Sequence, residues 1–192
     1  TAIYYVKSHT QYELLGQTRD DAAGEAFDKV SKMLGLGYPG GAVIDRLAKN
    51  GGAGKIRFPR AYMDRESYDF SFSGIKTAVN RYIQTHPEDY EDRIPDIAAS
   101  FQEAVVDVLC FKTIHAAISK RCPFIAVVGG AAANSRLREK IRQDAKRENV
   151  DVIIPSLSLC GDNAAMVAAV GYQRLKNGET CPRDADVYSR SK

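Results

Sequence analysis

An α/β fold is predicted by three features of the chain: two β-rich runs at its start, a long helical run without a breaker at its centre, and an alternation of strand, helix, strand and helix in its last third. At 192 residues and 44% hydrophobic content the chain is long enough to bury a core, which suits one domain or one lobe of a larger protein. Residues 2–7 and 11–18 are rich in Ile, Tyr, Val and Leu and are separated by Ser-His-Thr, so they read as two antiparallel strands joined by a short turn. Strand character begins at residue 2 with neither an initiator methionine nor a polar leader, as expected of a fragment that starts inside an established fold.

From Asp20 the period changes. Ala23, Phe27, Val30 and Leu34 recur at helical spacing, Asp20 or Asp21 stands where a cap belongs, and Gly35 stands where a helix ends. In YPGGAVIDRLAKNGG, Pro39-Gly40-Gly41 predicts a tight turn with exposed backbone N–H groups, followed by a short helix ending near Asn50. The stretch from Gly51, dense in glycine, proline and aromatics, reads as an extended loop until helix resumes near Lys76.

Between about Pro95 and Lys120, Ile97, Phe101, Val105, Val108 and Leu109 run through several turns, which predicts a long, largely buried helix. PFIAVVGG then reads as an apolar strand, AANSRLREKIRQDAKREN as a helix with a polar face, VDVIIP as a second buried strand and DNAAMVAAVGYQRLKNG as a closing helix. That order implies parallel strands covered by helices. Residues from about Cys181 read as a tail.

Composition removes several classes of protein. The 27 basic and 24 acidic residues leave a formal charge of +3, which permits contact with a polyanion but is no general nucleic-acid footprint. Cys110, Cys122, Cys160 and Cys181 show no CxxC spacing and lie far apart, which argues against a disulfide framework or a cysteine metal knuckle and suits a reducing cytoplasm. No apolar run approaches the roughly 20 residues that a membrane span needs.

Two junctions suggest chemistry. In VVGGAAANSRLRE an apolar strand runs into Gly129-Gly130 and then Asn134 at a helix start. Glycines there let backbone approach a phosphate or ribose, the helix N-terminus favours negative charge, and the Asn134 amide offers both donor and acceptor; a plain tight turn is the alternative. In SLCGDNAAM, Asp162 precedes a helix of small apolar residues and reads either as a helix cap or as a metal ligand. The three histidines, His9, His86 and His115, lie singly, so further ligands for Asp162 would come from elsewhere, and His115 reads as a packed core histidine. Asp21, Glu25 and Asp28 are spaced for one helix face among small residues, which suits either a ligand-facing acid cluster or a solvated surface.

Five segments, RDDAAGEAFDKVSKMLGLGYPGG, DFSFSGIKTAV, DIAASFQEAVVDVL, VVGGAAANSRLRE and LCGDNAAMVA, together resemble the family that transfers a threonylcarbamoyl group to tRNA adenosine, formerly labelled glycoproteases. The resemblance covers nearly the whole chain. It implies the actin-like, sugar-kinase-like and heat-shock-chaperone-like two-lobe fold, with residues 1–180 as the C-terminal lobe and 181–192 as a tail. It also implies that Asp28, Gly41, Asp45 and Asn134 hold the threonylcarbamoyl-adenylate intermediate. Asp162 would be the aspartate ligand of one divalent metal ion, iron favoured and zinc possible, completed by an HxxxH pair outside this chain. The Ser-Gly-Gly-His segment that cradles the intermediate's acyl-phosphate end is also outside it, so the chain alone is expected to be inactive.

Gly161 replaces the family's usual Thr and Ala42 its usual Pro, and neither change removes a ligand. The partners implied are tRNA, an inactive paralogue subunit and a small ATPase subunit, in the cytoplasm. Two rivals remain: a small-molecule kinase of the same superfamily, which has no reason to carry DDAAGEAFDK, and a noncatalytic paralogue, which has no reason to keep Asp162.

Overall fold

A computed structural model describes residues 1–62, 66–182 and 184–186. Strands β1 (Ala2–Val6) and β2 (Tyr12–Gln17) form the expected antiparallel hairpin. Its register pairs Tyr4 with Leu14 and Val6 with Tyr12, so these four side chains share one face, and all four are exposed.

Helix α1 (Ala23–Met33) follows, but neither Asp20 nor Asp21 caps it. The Thr1 hydroxyl accepts from the Ala23 N–H at 2.8 Å instead, and the Glu25 carboxylate accepts from the Ala22 N–H at 3.4 Å. Both aspartates are engaged some fifty residues along the chain. Asp20 accepts from the Ser71 hydroxyl, the Phe72 N–H and the Ser73 hydroxyl, and so holds the start of helix α3 (Ser73–Thr85). Asp21 pairs with Lys29 at 2.5 Å and Lys76 at 2.9 Å, while Arg19 reaches Asp69 at 2.8 Å. Three consecutive residues thus fasten the segment 69–76 to the mouth of α1. At the far end Gly35 takes φ +69°, and its N–H and that of Leu36 donate back to Lys32 and Ser31, which closes α1 as expected.

Several of these carboxylates are held below their ordinary range. Asp21 is lowered by the hydrogen bonds from Lys29 and Lys76, and Glu103 by the hydrogen bond from Arg136. A depressed carboxylate adds stability above its unfolded pKa and loses it as pH falls through the folded one. Denaturant midpoints are therefore expected to decline once pH drops below the ordinary carboxylate values of 3.8 and 4.5, and Asp21→Asn should make that decline shallower. An unchanged slope in the variant would remove Asp21 from the account.

Helix α4 (Ile94–Ser119) is the centre of the molecule, as its uninterrupted apolar run predicts. Ile97, Phe101, Val105 and Val108 are buried, and α2 (Gly40–Ala48), α3 and α5 (Ser135–Arg147) pack around it. The predicted loop before α3 is pinned to its first turns. Gly52 donates to Asp96 at 2.8 Å, and the Ser100 hydroxyl donates to the Gly52 carbonyl while accepting from the Ile56 N–H.

Strands β3 (Phe124–Ala126) and β4 (Asp151–Ile153) pair in parallel with α5 as their connection. Two expectations fail here. β4 is not buried: Asp151 and Ile153 are exposed and Val152 is half-buried, because the sheet has two short strands whose main packing partners are α4 and α5. Helix α6 (Ala164–Lys176), expected to close the sheet, has no buried residue. Strand–helix order identifies an apolar helix without saying which surface receives it. Met166, Val167, Val170 and Leu175 remain exposed, and Asn177, just past α6, donates to the Thr10 hydroxyl in the hairpin turn at 3.4 Å. Of the expected tail, 181, 182 and 184–186 carry no helix or strand, and 183 and 187–192 lie outside the described residues. No described helix is long and apolar enough to cross a membrane.

Candidate nucleotide and metal site

Four of the sequence-derived candidates are drawn together by α2. Asp28, half-buried on α1, accepts the Gly40 N–H at 2.8 Å, so its carboxylate sits over the first turn of α2. That approach requires a glycine: a Cβ on Gly40 would lie 2.6 Å from the Asp28 Cα and from the Phe27 carbonyl oxygen. Gly41, next along, has nothing within 4 Å of where its Cβ would be, so the α2 N-terminus opens onto free space at this residue. The expected tight turn is in fact the first turn of α2, entered through a cis Tyr38–Pro39 bond.

Asp45 stands one turn beyond Gly41 on the same face of α2. It accepts the Ser135 hydroxyl at 2.8 Å and the Ser135 N–H at 3.2 Å, which ties α2 to the start of α5. Asn134 is the cap of α5. Its Oδ1 accepts the Leu137 N–H at 2.9 Å, and its Nδ2 donates to Oε1 of buried Gln102 on α4 at 2.7 Å. Gln102 thereby fixes which way the amide points and leaves the second Nδ2 hydrogen and the second Oδ1 lone pair for another group. Before it, Gly129 takes φ +87° and residues Gly130–Ala133 form a 3₁₀ turn. The junction thus presents two helix N-termini, those of α2 and α5, with a glycine opening and a fixed amide, and it is the arrangement that suits a phosphate or ribose.

Asp162 is placed apart from these. Asn163, not Asp162, caps α6, accepting the Met166 N–H at 3.0 Å. The Asp162 side chain is exposed, with no hydrogen bond or ion pair among the described residues. Of the two readings of this residue, the cap is therefore excluded. Among the described residues no group of three His, Cys, Asp or Glu side chains is placed to hold a metal ion, and the Asp162 carboxylate stands free as a single oxygen donor.

Lysine pairing breaks up the acid cluster expected on α1. Asp21 lies before the helix and is neutralised by Lys29 and Lys76, Glu25 pairs with Lys29 at 2.7 Å, and Asp28 alone of the three has no lysine partner among the described residues. Lys29, bonded first to Asp21 and then to Glu25, is pushed up to about 12 and stays charged. His115 is half-buried between the rings of Tyr68 and Phe111, at 5.6 and 6.0 Å between centroids, rather than inside the core. Burial pushes the Cys110 thiol up to about 12, which disqualifies it as a nucleophile. A hollow of about 450 Å³ lined by Arg142, Lys146 and 149–152 includes none of the candidates.

Sequence reasoning missed Gln102 and Arg138. Both lie within segments that carry the resemblance, but Gln102 is one polar residue on an apolar helix and Arg138 one basic residue on a polar helix face, so neither residue type signals its partners.

The body is α/β, and the α2 and α5 N-termini beside the Gly129 turn offer backbone N–H groups of the kind that suit an anion. The family model described as TsaD, tRNA N6-adenosine threonylcarbamoyltransferase, matches residues 1–169, and the chain belongs to that family. A relative from Desulforapulum autotrophicum with that name is 53% identical over 192 residues, all of this chain and 58% of the relative. Like-named proteins of Thermotoga neapolitana and Clostridioides difficile are 53% and 51% identical over 93% and 94% of this chain, and each is covered to 54% of its own length. The chain therefore spans little more than half of the curated relatives it matches.

Proposed function

We propose that residues 1–180 form the C-terminal lobe of a two-lobe, actin-like acyltransferase that moves the threonylcarbamoyl group from threonylcarbamoyl-adenylate to the tRNA adenosine beside the anticodon. The observation that carries this reading is the bonded series Asp28, Gly40, Asp45, Ser135, which gathers Asp28, Gly41, Asp45 and Asn134 around the open N-terminus of α2 in a member of the family. In it, Asp28 accepts a ribose hydroxyl, Gly41 lets backbone approach the nucleotide, and Asp45 and Asn134 hold the start of α5 and the ligand. The exposed apolar faces of the hairpin and α6 support a second lobe as their cover.

Asp162 supplies one carboxylate oxygen to a divalent metal, iron or zinc, whose histidine ligands stand in the other lobe. The metal, when bound, supplies Lewis-acid polarisation of the carbamoyl carbonyl. The partners are tRNA, an inactive paralogue and a small ATPase, and the place of action is the cytoplasm. A small-molecule kinase is not favoured by any of the family members matched.

Two neighbouring glycines separate fold from ligand. Gly40→Ala is expected to destabilise the protein by about 1–3 kcal/mol through overpacking of α1 against α2. Gly41→Leu is expected to leave the melting temperature unchanged and weaken AMP binding to the full-length protein at least about tenfold, or about 1.4 kcal/mol, in calorimetry. Unaltered AMP affinity in Gly41→Leu would remove the α2 N-terminus from the nucleotide site.

A further inference from the structure

One side chain joins the two halves of the candidate site. Arg138 lies in the first turn of α5, four residues after Asn134. Its Nη1 donates to the Ala132 carbonyl at 2.7 Å, inside the 3₁₀ turn that leads into Asn134. Its Nη2 donates to the Pro155 carbonyl at 2.5 Å, beyond β4, and Nη1 also approaches Sγ of buried Cys160 at 3.6 Å. The planar guanidinium thus spans the two backbone segments that leave the paired strands β3 and β4, beyond the last backbone bond between them from Val127 to Ile153, and its fork fixes both distance and angle there. Asp162 follows Cys160 by two residues.

Past β4 and the core-packed Ile154, little else holds that second segment. The turn Leu157–Leu159 buries nothing, α6 buries nothing, and Cys160 is anchored by its own burial and by contacts to the Pro155 and Ser156 carbonyls. Asn134 is already rigid through Leu137 and Gln102. Beyond the end of β4, Arg138 is therefore the side chain that ties the segment leading to Asp162 to the turn before Asn134.

We propose that Arg138 is a positioning residue that locks the loop carrying Asp162 onto the turn carrying Asn134, so that one ligand can meet both. The proposal rests on the reading of Asn134 and Asp162 given above. It makes Arg138 an outer support of the metal ligand rather than a group that touches substrate.

The test compares Arg138→Met and Arg138→Lys in the full-length protein. Arg138→Met is expected to speed backbone hydrogen exchange across 156–163 while leaving the core of α4 as slow as before. It should weaken Zn²⁺ binding roughly 10–100-fold, the usual cost of losing an outer-shell partner. The kcat for transfer should fall with the KM for the adenylate unchanged, and Arg138→Lys, which can reach only one of the two carbonyls, should recover part of each loss. Faster exchange throughout α4 with a large drop in melting temperature would overturn the proposal by making Arg138 a general stabiliser. Unchanged exchange across 156–163 would overturn it outright. Asp162→Ala serves as the control: if it leaves Zn²⁺ affinity unaltered, the metal reading fails, while the exchange result still decides Arg138.

Discussion

Asp162→Ala in the full-length protein is expected to lower threonylcarbamoyl transfer at least about 100-fold, toward the upper end of what losing a metal-site partner costs. The same variant should lose its bound metal in elemental analysis and melt at an unchanged temperature. The reason is geometric. Asp162 is exposed, caps nothing and pairs with nothing among the described residues, so removing its carboxylate deletes no structural bond. A stable variant that keeps both metal and activity would remove Asp162 from the metal site. A variant that loses activity only by unfolding would contradict the placement of Asp162 outside the packing.

Phe101→Ala should have the largest effect on stability, about 3–5 kcal/mol by equilibrium denaturation. Phe101 is fully buried in the N-terminal third of α4 and packs edge-on against Phe27, at 5.0 Å between centroids and 71° between planes. A chain of this size loses about 2–4 °C in melting temperature per kcal/mol, so the variant should be unusable at elevated temperature. Phe27 immediately precedes Asp28, and the cavity therefore opens directly beneath a candidate ribose contact. Weakened AMP binding, beyond what unfolding explains, is expected from the same substitution. A loss under about 1 kcal/mol would show that α4 is not the support on which the site is built.

Much of the fold was legible because local periodicity carries it. The run Ile97, Phe101, Val105 and Val108 marked α4 within a residue or two of its observed ends, Ile94 and Ser119, and the hairpin and the parallel β3–β4 pair followed from pattern and order. What stayed illegible depends on long separation. Asp20 and Asp21 read as local caps because the sequence shows their place before α1, but not that Phe72 and Lys76 come to meet them. The position of α6 was likewise beyond reach, since its apolar residues specify burial without naming a surface.

The candidate site divides the same way. Gly129, Gly130 and Asn134 announced a junction through residue type alone, and the amide's orientation by Gln102 came only with the fold. Asp28 was visible as one of three acids on a helix. That it, and not Asp21 or Glu25, faces the α2 N-terminus follows from the lysines that neutralise the other two. Arg138 shows the limit most clearly, because an arginine on a polar helix face gives no sign that it will bridge Ala132 and Pro155.

The most direct test of the central claim is transfer of labelled threonylcarbamoyl from its adenylate by the full-length protein, with its partner subunits, to tRNA that carries or lacks the adenosine beside the anticodon. Label acquired only by the tRNA bearing that adenosine is the predicted result. No label on either tRNA, from a folded and metal-loaded protein that instead phosphorylates a small polyol with ATP, would contradict it.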